Sequence, residues 1–246
     1  MKRIKLVVAY DGTNYCGWQV QPNGETIEGV LNRALSELLG EDIKVTGASR
    51  TDSGVHSLGN VAVFDTETRI PPEKISYALN QRLPEDIVVQ DSCQVAEDFH
   101  PRHCNSRKTY EYRILNRTFA MPTRRLDTYF FYRKLDLDAM KQAASYIEGT
   151  HDFKSFCSAN SPVEDTVRTV YFLHVEKQDD IISIRVQGSG FLYNMVRILA
   201  GTLIQVGLGE IKPEDIPGIL EAKNRSAAGP TAPAHGLTMI GIEFLD

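Results

Sequence analysis

Residues 48–60 read ASRTDSGVHSLGN and lie between two runs that read as β-strands, EDIKVTG and NVAVFDT. Arg50 and Asp52 put a guanidinium and a carboxylate two positions apart. Ser49, Thr51 and Ser53 add hydroxyls, His56 adds an imidazole, and Gly54 and Gly59 let the backbone turn tightly. A connection that only reversed the chain would need few of these groups. A carboxylate in such a loop can serve as nucleophile or base at neutral pH, and the neighbouring cation can hold a polar substrate. A Ser-His-Asp relay does not follow, because closeness of His56 to Ser53 and Ser57 in sequence does not create triad geometry.

A second chemical signal is Arg197 in FLYNMVRILAGTLIQVG. A helix this apolar is expected to be largely buried and to carry the guanidinium inward, where it needs a hydrogen-bonded anion. Asp52 is the natural candidate for that anion, and a purely structural ion pair is the competing reading. Other clusters carry weaker signals. FHPRHCNSR holds His100, His103 and Cys104 without a fourth ligand, which argues against a metal and for a loop that contacts substrate or caps a strand. GSGFLYN lacks the third glycine and the lysine-serine ending of a phosphate loop.

Composition bounds the partners. The chain has 246 residues, 42% of them hydrophobic, enough for a sizeable core, and no apolar run reaches the length of a membrane span or signal peptide. A soluble, cytoplasmic protein is expected. Its four cysteines lack paired spacing, which fits free thiols in a reducing compartment. A formal net charge of -5 argues against a nucleic-acid partner until its distribution is considered. From Arg102 to Lys134 the cations outnumber Glu111 and Asp127 and are interleaved with Tyr110, Tyr112, Tyr129 and Tyr132. That segment reads equally as a solvated strand pair or an RNA-binding face.

The elements that must position these groups follow from periodicity. RIKLVVAY is a strand, and TIEGVLNRALSELLG places Ile27, Val30, Leu31, Ala34, Leu35, Leu38 and Leu39 on one helical stripe ending at Gly40. Strands around IKVTG and NVAVFDT follow, then a helix after Pro71 and Pro72 with Ile75, Ala78 and Leu79 inward, then the strand DIVVQDS. Near residue 105 the pattern begins again. KTYEYRIL is a strand; DLDAMKQAASYIEG is a helix with Asp136 as N-cap and Gly149 as stop. RTVYFLHVEK and DIISIRVQG form a strand pair, FLYNMVRILAGTLIQVG is a helix, PGILEAK a short helix and LTMIGIEFL the last strand. RSAAGPTAPAHG reads as an ordered loop before that strand, and its composition suits a flexible one equally. The fold class expected is α+β, as two ferredoxin-like halves of β-α-β-β-α-β order, residues 1–104 and 105–246, with antiparallel sheets joined across a central cleft.

Across nearly its full length the chain resembles the tRNA pseudouridine synthase A family, on VAYDGTNYCGWQ, GASRTDSGVH, ALNQRLPEDI, FHPRHCNSRKTYEYRI, EGTHDF and GSGFLYNMVRILAGTLIQVG. The resemblance implies isomerisation of uridine to pseudouridine at positions 38 to 40 of the tRNA anticodon arm, without cofactor or metal, by a homodimer with a basic RNA-binding cleft. It implies that Asp52 is the catalytic aspartate, Tyr110 the active-site tyrosine and Arg197 the arginine paired with that aspartate. Arg50 would help hold the flipped nucleotide, and Leu237 would be the apolar contact beneath the uracil. Two rival classes remain at this level. A non-catalytic RNA-binding module would share the basic segment and the aromatics, and a retaining glycosidase would need a second nearby acid that no sequence feature nominates.

Overall fold

A computed structural model describes residues 1–159 and 161–245. The chain forms two compact units, one of Met1–Asn105 together with the residues from Met239 onward, the other of Ser106–Thr238. In chain order the first unit contains β1 (Lys2–Tyr10), α1 (Ile27–Leu39), β2 (Thr46–Gly47), β3 (His56–Thr66), α2 (Ile75–Asn80) and β4 (Ile87–Val95). The second contains β5 (Ser106–Asn116), β6 (Tyr129–Phe131), α3 (Leu137–Ser145), β7 (Gly149–Asp152), β8 (Val167–Gln178), β9 (Ile181–Gly188), α4 (Met195–Gly207) and α5 (Ile216–Glu221). The last strand, β10 (Leu237–Phe244), begins in the second unit and ends in the first. The architecture is α+β.

In the first unit the strands run β4-β1-β3 with β10 next to β3, and β2 pairs with β3. β1 pairs antiparallel with β3 and β4, Ile4 opposite Phe64 and Leu6 opposite Ala62 on β3, so alternate residues of β1 face one side. Ile4, Leu6, Val8 and Tyr10 fill that side against the stripe of α1, whose Ile27, Val30, Leu31, Ala34 and Leu35 are all buried. Thr26 caps α1 by accepting from the Gly29 amide. Fully burying side chains of this kind contributes roughly 1.5–3 kcal/mol each, so this face holds β1 and β3 firmly. The functional loop hangs from β3.

In the second unit the order is β5-β9-β8-β7, antiparallel throughout, with β6 parallel to β5. Tyr110, Tyr112 and Ile114 alternate inward on β5. Eleven of the thirteen residues of α4 are buried, and the helix makes close contact with the segment that follows α5. A Cβ at Gly201 would lie 1.8 Å from the carbonyl oxygen of Pro230, and Ala232 donates its amide to the Arg197 carbonyl at 3.1 Å. The RSAAGPTAPAHG segment, whose composition fits an ordered or a flexible loop equally, packs against α4 with short 3-10 turns at Arg225–Ala227 and Ala234–Gly236.

Several element boundaries differ from the sequence reading. β2 is only two residues long, and β3 starts at His56 rather than Asn60, so the end of the glycine loop is itself strand. Ala78 is half-buried, while Ser76 joins Ile75 and Leu79 inside. Gly149 does not stop α3. That helix ends at Ser145, and Gly149, at φ 107, opens the short strand β7. α4 starts at Met195 because Asn194 is left-handed, at φ 60, which breaks the helical path running back to Phe191.

Candidate active site

The loop from Ala48 to Val55 separates its polar groups into two sets. Ser49, Thr51 and His56 are buried, whereas Arg50 and Ser53 are exposed and Asp52 is half-buried. The buried set is committed to holding the loop. Thr51 Oγ1 shares a hydrogen bond of 2.8 Å with the Tyr10 hydroxyl, and the Thr51 carbonyl accepts from the Trp18 amide at 3.0 Å. Asn60, fully buried, donates its side-chain amide to the Ser49 carbonyl at 3.0 Å. The hydroxyl of Thr51 is thus an internal brace, not a group that grips substrate. Ser53 Oγ likewise donates to the Tyr15 carbonyl, at 3.1 Å.

Two glycines let the preceding segment lie against this loop. A Cβ on Gly12 would stand 2.1 Å from the Val55 carbonyl oxygen, and one on Gly17, at φ +85, 2.6 Å from that of Thr51. Next to Gly12, His56 Nδ1 is 3.1 Å from the Gly12 amide and 3.0 Å from Asp11 Oδ1. The Gly12 amide donates to Nδ1 when that nitrogen carries no proton, and Nδ1 donates to the Asp11 carboxylate when it does. Burial alone would raise the Asp11 pKa, but hydrogen bonds from the Thr13 hydroxyl and amide, with the pull of His56, take it below the usual carboxylate value. Asp52 therefore sits on a loop whose backbone is fixed on both sides, with part of its side chain open to solvent.

Tyr110, Arg197 and Leu237 belong to the second unit. Tyr110 is 8% exposed and meets Phe191 edge-to-face, ring centroids 5.2 Å apart. The apolar helix predicts a deeply buried Arg197, whereas the residue is half-buried. Its Nε donates to the Ala232 carbonyl and its Nη1 to Asn194 Oδ1, both at 2.8 Å. Leu237, 5% exposed, follows the 3-10 turn Ala234–Gly236. That turn is held from β5: Tyr112 donates its hydroxyl to the Pro233 carbonyl at 2.8 Å, and Gly236 packs so closely on the Tyr112 ring that a Cβ would be 2.7 Å from it. Burial pushes the Tyr112 hydroxyl pKa well up, so it stays a donor. The sequence places Tyr112 only among the tyrosines of the basic segment; the alternation Tyr110, Tyr112, Ile114 is the signal that puts it on the buried face with Tyr110.

The basic segment is less positive in space than in sequence. Arg113 pairs with Glu111 and Asp127, Arg124 with Asp127, Arg117 with Asp180 and Arg133 with Glu210. Arg107 lies over the Tyr171 ring, 4.9 Å from its centroid. Arg102 donates its Nε to the Gly47 carbonyl at 2.7 Å. Among the described residues no group of three or more His, Cys, Asp or Glu side chains is arranged to hold a metal, and no helix is long and apolar enough to cross a membrane.

The family model described as tRNA pseudouridine synthase matches residues 6–103 and 143–244, which defines the class as RNA-modifying isomerases. Relatives sharpen the match. A tRNA pseudouridine synthase A of Thermoanaerobacter sp. (strain X514) is 50% identical over 99% of this chain and 100% of its own length. That of Acetivibrio thermocellus is 47% identical over 99% and 100%, and that of Brevibacillus brevis 49% identical over 97% and 98%. The chain belongs to the tRNA pseudouridine synthase A family. A solved archaeal box H/ACA sRNP Nop10-Cbf5 complex is a remote likeness, with TM-score 0.36 and 13% identity over 96% of this chain and 45% of that one, which does not define a shared fold.

Proposed function

We propose that this enzyme converts uridine to pseudouridine at positions 38 to 40 of the tRNA anticodon stem-loop, with Asp52 as its essential carboxylate. The observation that carries this reading is the loop of Asp52. In a chain of this family, one half-exposed carboxylate stands on backbone fixed by Tyr10, Trp18, Asn60 and the close approach of Gly12. Fixing the loop before substrate arrives lowers the cost of holding the carboxylate against a sugar or base.

The reaction breaks the N1–C1′ bond, turns the uracil while it stays bound, and joins C5 to C1′. The C5 proton leaves and N1 ends protonated, so atoms balance without oxidant, reductant or water, and no cofactor or metal is called for. Asp52 provides the group that attacks or accepts a proton, and Arg197 is its proposed partner, favouring the ionised form. Tyr110 offers a ring to stack on the base and a hydroxyl to assist loss of the C5 proton. Leu237 would lie beneath the uracil. Because the uridine belongs to a folded RNA, it must leave its stack at a cost of about a few kcal/mol, and Arg50 is proposed to hold it once extruded.

The finer architecture in this proposal is two ferredoxin-like halves with sheets joined across an RNA-binding cleft, working as a cytoplasmic homodimer. The first unit supports it: the order β1-α1-β2-β3-α2-β4, with β1 between β3 and β4, follows that pattern. The test is direct. Unmodified tRNA carrying tritium at C5 of uridine should release it on incubation, with one pseudouridine appearing for each tritium lost. A protein that binds this tRNA and releases none is not a synthase; one that liberates free uracil is a glycosidase.

A further inference from the structure

The FHPRHC turn is not absorbed by the chemistry of Asp52, yet it is built with care. The His103 and Cys104 amides both donate to the His100 carbonyl, at 3.0 and 3.3 Å, and the Arg102 amide donates to His100 Nδ1 at 3.3 Å. The His100 and His103 rings stack with centroids 3.9 Å apart and planes 14° from parallel. Burial, then His103 and Arg102, lower the His100 pKa. This turn delivers Arg102 to the loop of Asp52. Its Nε is engaged by the Gly47 carbonyl at 2.7 Å, three residues before Arg50.

Arg102 and Arg50 are both exposed, and among the described residues neither forms an ion pair with a carboxylate. Burial lowers the Arg102 pKa most, and the charge of Arg50 lowers it next. Glu28 pulls the other way but already accepts the Val20 amide at 2.8 Å. The Nε bond ties Arg102 to the segment that leads into Arg50, and the push of Arg50 on Arg102 exceeds the pull of Glu28. A brace for Gly47 explains the Nε bond but not the four Nη hydrogens it leaves over on an exposed side chain.

We propose that Arg102 and Arg50 jointly grip one backbone phosphate of the tRNA, next to the nucleotide taken up by the Asp52 loop. The inference rests on the functional reading above. A phosphate offers oxygens to both planar forks and offsets the repulsion between them, which a lysine pair would do with less geometric definition. Arg102 is then a binding residue that sets the register of the RNA on the first unit.

The experiment measures the Kd of an unmodified anticodon stem-loop RNA across salt for the wild type, Arg102→Ala, Arg50→Ala, the double variant and Arg102→Lys. Each alanine should raise Kd about tenfold and reduce the slope of log Kd against log salt by about one. The double variant should be little worse than either single one, because one contact is lost in all three. Arg102→Lys should keep the slope and recover part of the affinity. To remove doubt about folding, the wild-type protein is also titrated with stem-loops carrying one methylphosphonate at successive positions. One position should weaken the wild type and leave Arg102→Ala unaffected. Wild-type Kd and slope in Arg102→Ala, or no position that distinguishes the two proteins, would overturn the grip. Tritium release by the same wild-type preparation separates the two failures: its absence defeats the synthase reading, whereas its presence with unaltered binding in the variants defeats only this inference.

Discussion

At the scale of single residues, the polar loop divides between bracing and presentation. Thr51, Ser49 and His56 look like the same equipment as Arg50 and Asp52 in the sequence, and only the partners separate them. Those partners are Tyr10, Asn60 and Gly12, all outside the loop. No local pattern announces such pairings, which is why the bracing role of the Thr51 hydroxyl was not legible. Arg197 was legible as an arginine in an apolar helix, but its half-exposed course to Ala232 and Asn194 was not. That course alters the expected outcome of substitution. Arg197→Met keeps the apolar helix but loses, among others, the hydrogen bonds to Ala232 and Asn194, so its melting temperature should drop by an amount equivalent to about 1–3 kcal/mol. If Arg197 also favours the ionised form of Asp52, turnover should nearly vanish and the acid limb of the pH–rate profile should move to higher pH. Arg197→Lys should restore charge without the planar fork and rescue turnover partly. Wild-type turnover with an unchanged pH profile in Arg197→Met would limit Arg197 to the loop contact.

At the scale of elements, long periodic segments announced themselves and short ones did not. α1 follows from its stripe and from Gly40, and α4 from its apolar content. β6 and β7, of three and four residues, are too short for alternation to register, and the glycine that opens β7 looks like a helix stop. Close packing around glycine was equally hidden, because it depends on which backbone arrives opposite. Two substitutions test that packing. Gly12→Ala must push against the Val55 carbonyl and Gly201→Ala against the Pro230 carbonyl, both rigid backbone groups. Each should destabilise its unit by roughly 1–3 kcal/mol. Gly12→Ala should also cut turnover through displacement of the Asp52 loop while leaving the spectroscopic helix content unchanged. An alanine at position 12 with wild-type stability and activity would show that the loop tolerates movement, against the account of a fixed carboxylate.

At the scale of the whole molecule, charge totals mislead in both directions. The net charge of -5 conceals a basic segment, and the basic segment conceals its carboxylate partners Asp180 and Glu210, which lie far from it in sequence. tRNA affinity should still fall steeply between about 50 and 200 mM salt; an affinity indifferent to salt would exclude phosphate contacts as its main source. Acid should destabilise the fold for a separate reason. Hydrogen bonding by Arg3 to Asp65, and by Thr166 and Lys223 to Asp152, holds both carboxyl groups below their ordinary value, as Thr13 and His56 do for Asp11. Groups with depressed folded pKa values stabilise the protein fully above the unfolded value of about 4 and lose that contribution as pH falls through the folded value. Thermal melts should thus be insensitive to these groups near neutrality and fall below about pH 4, with Asp65→Asn flattening part of the drop. The return of the chain from Met239 to the first unit also belongs to this scale, and nothing local in LTMIGIEFL signals it.

The most direct test of the central claim is a comparison of wild type and Asp52→Asn on C5-tritiated, unmodified tRNA, with Kd and turnover measured on the same preparations. Asparagine preserves size and the loop but removes the ionised carboxylate. Asp52→Asn should give no detectable tritium release or pseudouridine, with tRNA affinity within about tenfold of wild type. Turnover by Asp52→Asn close to the wild-type rate would contradict it.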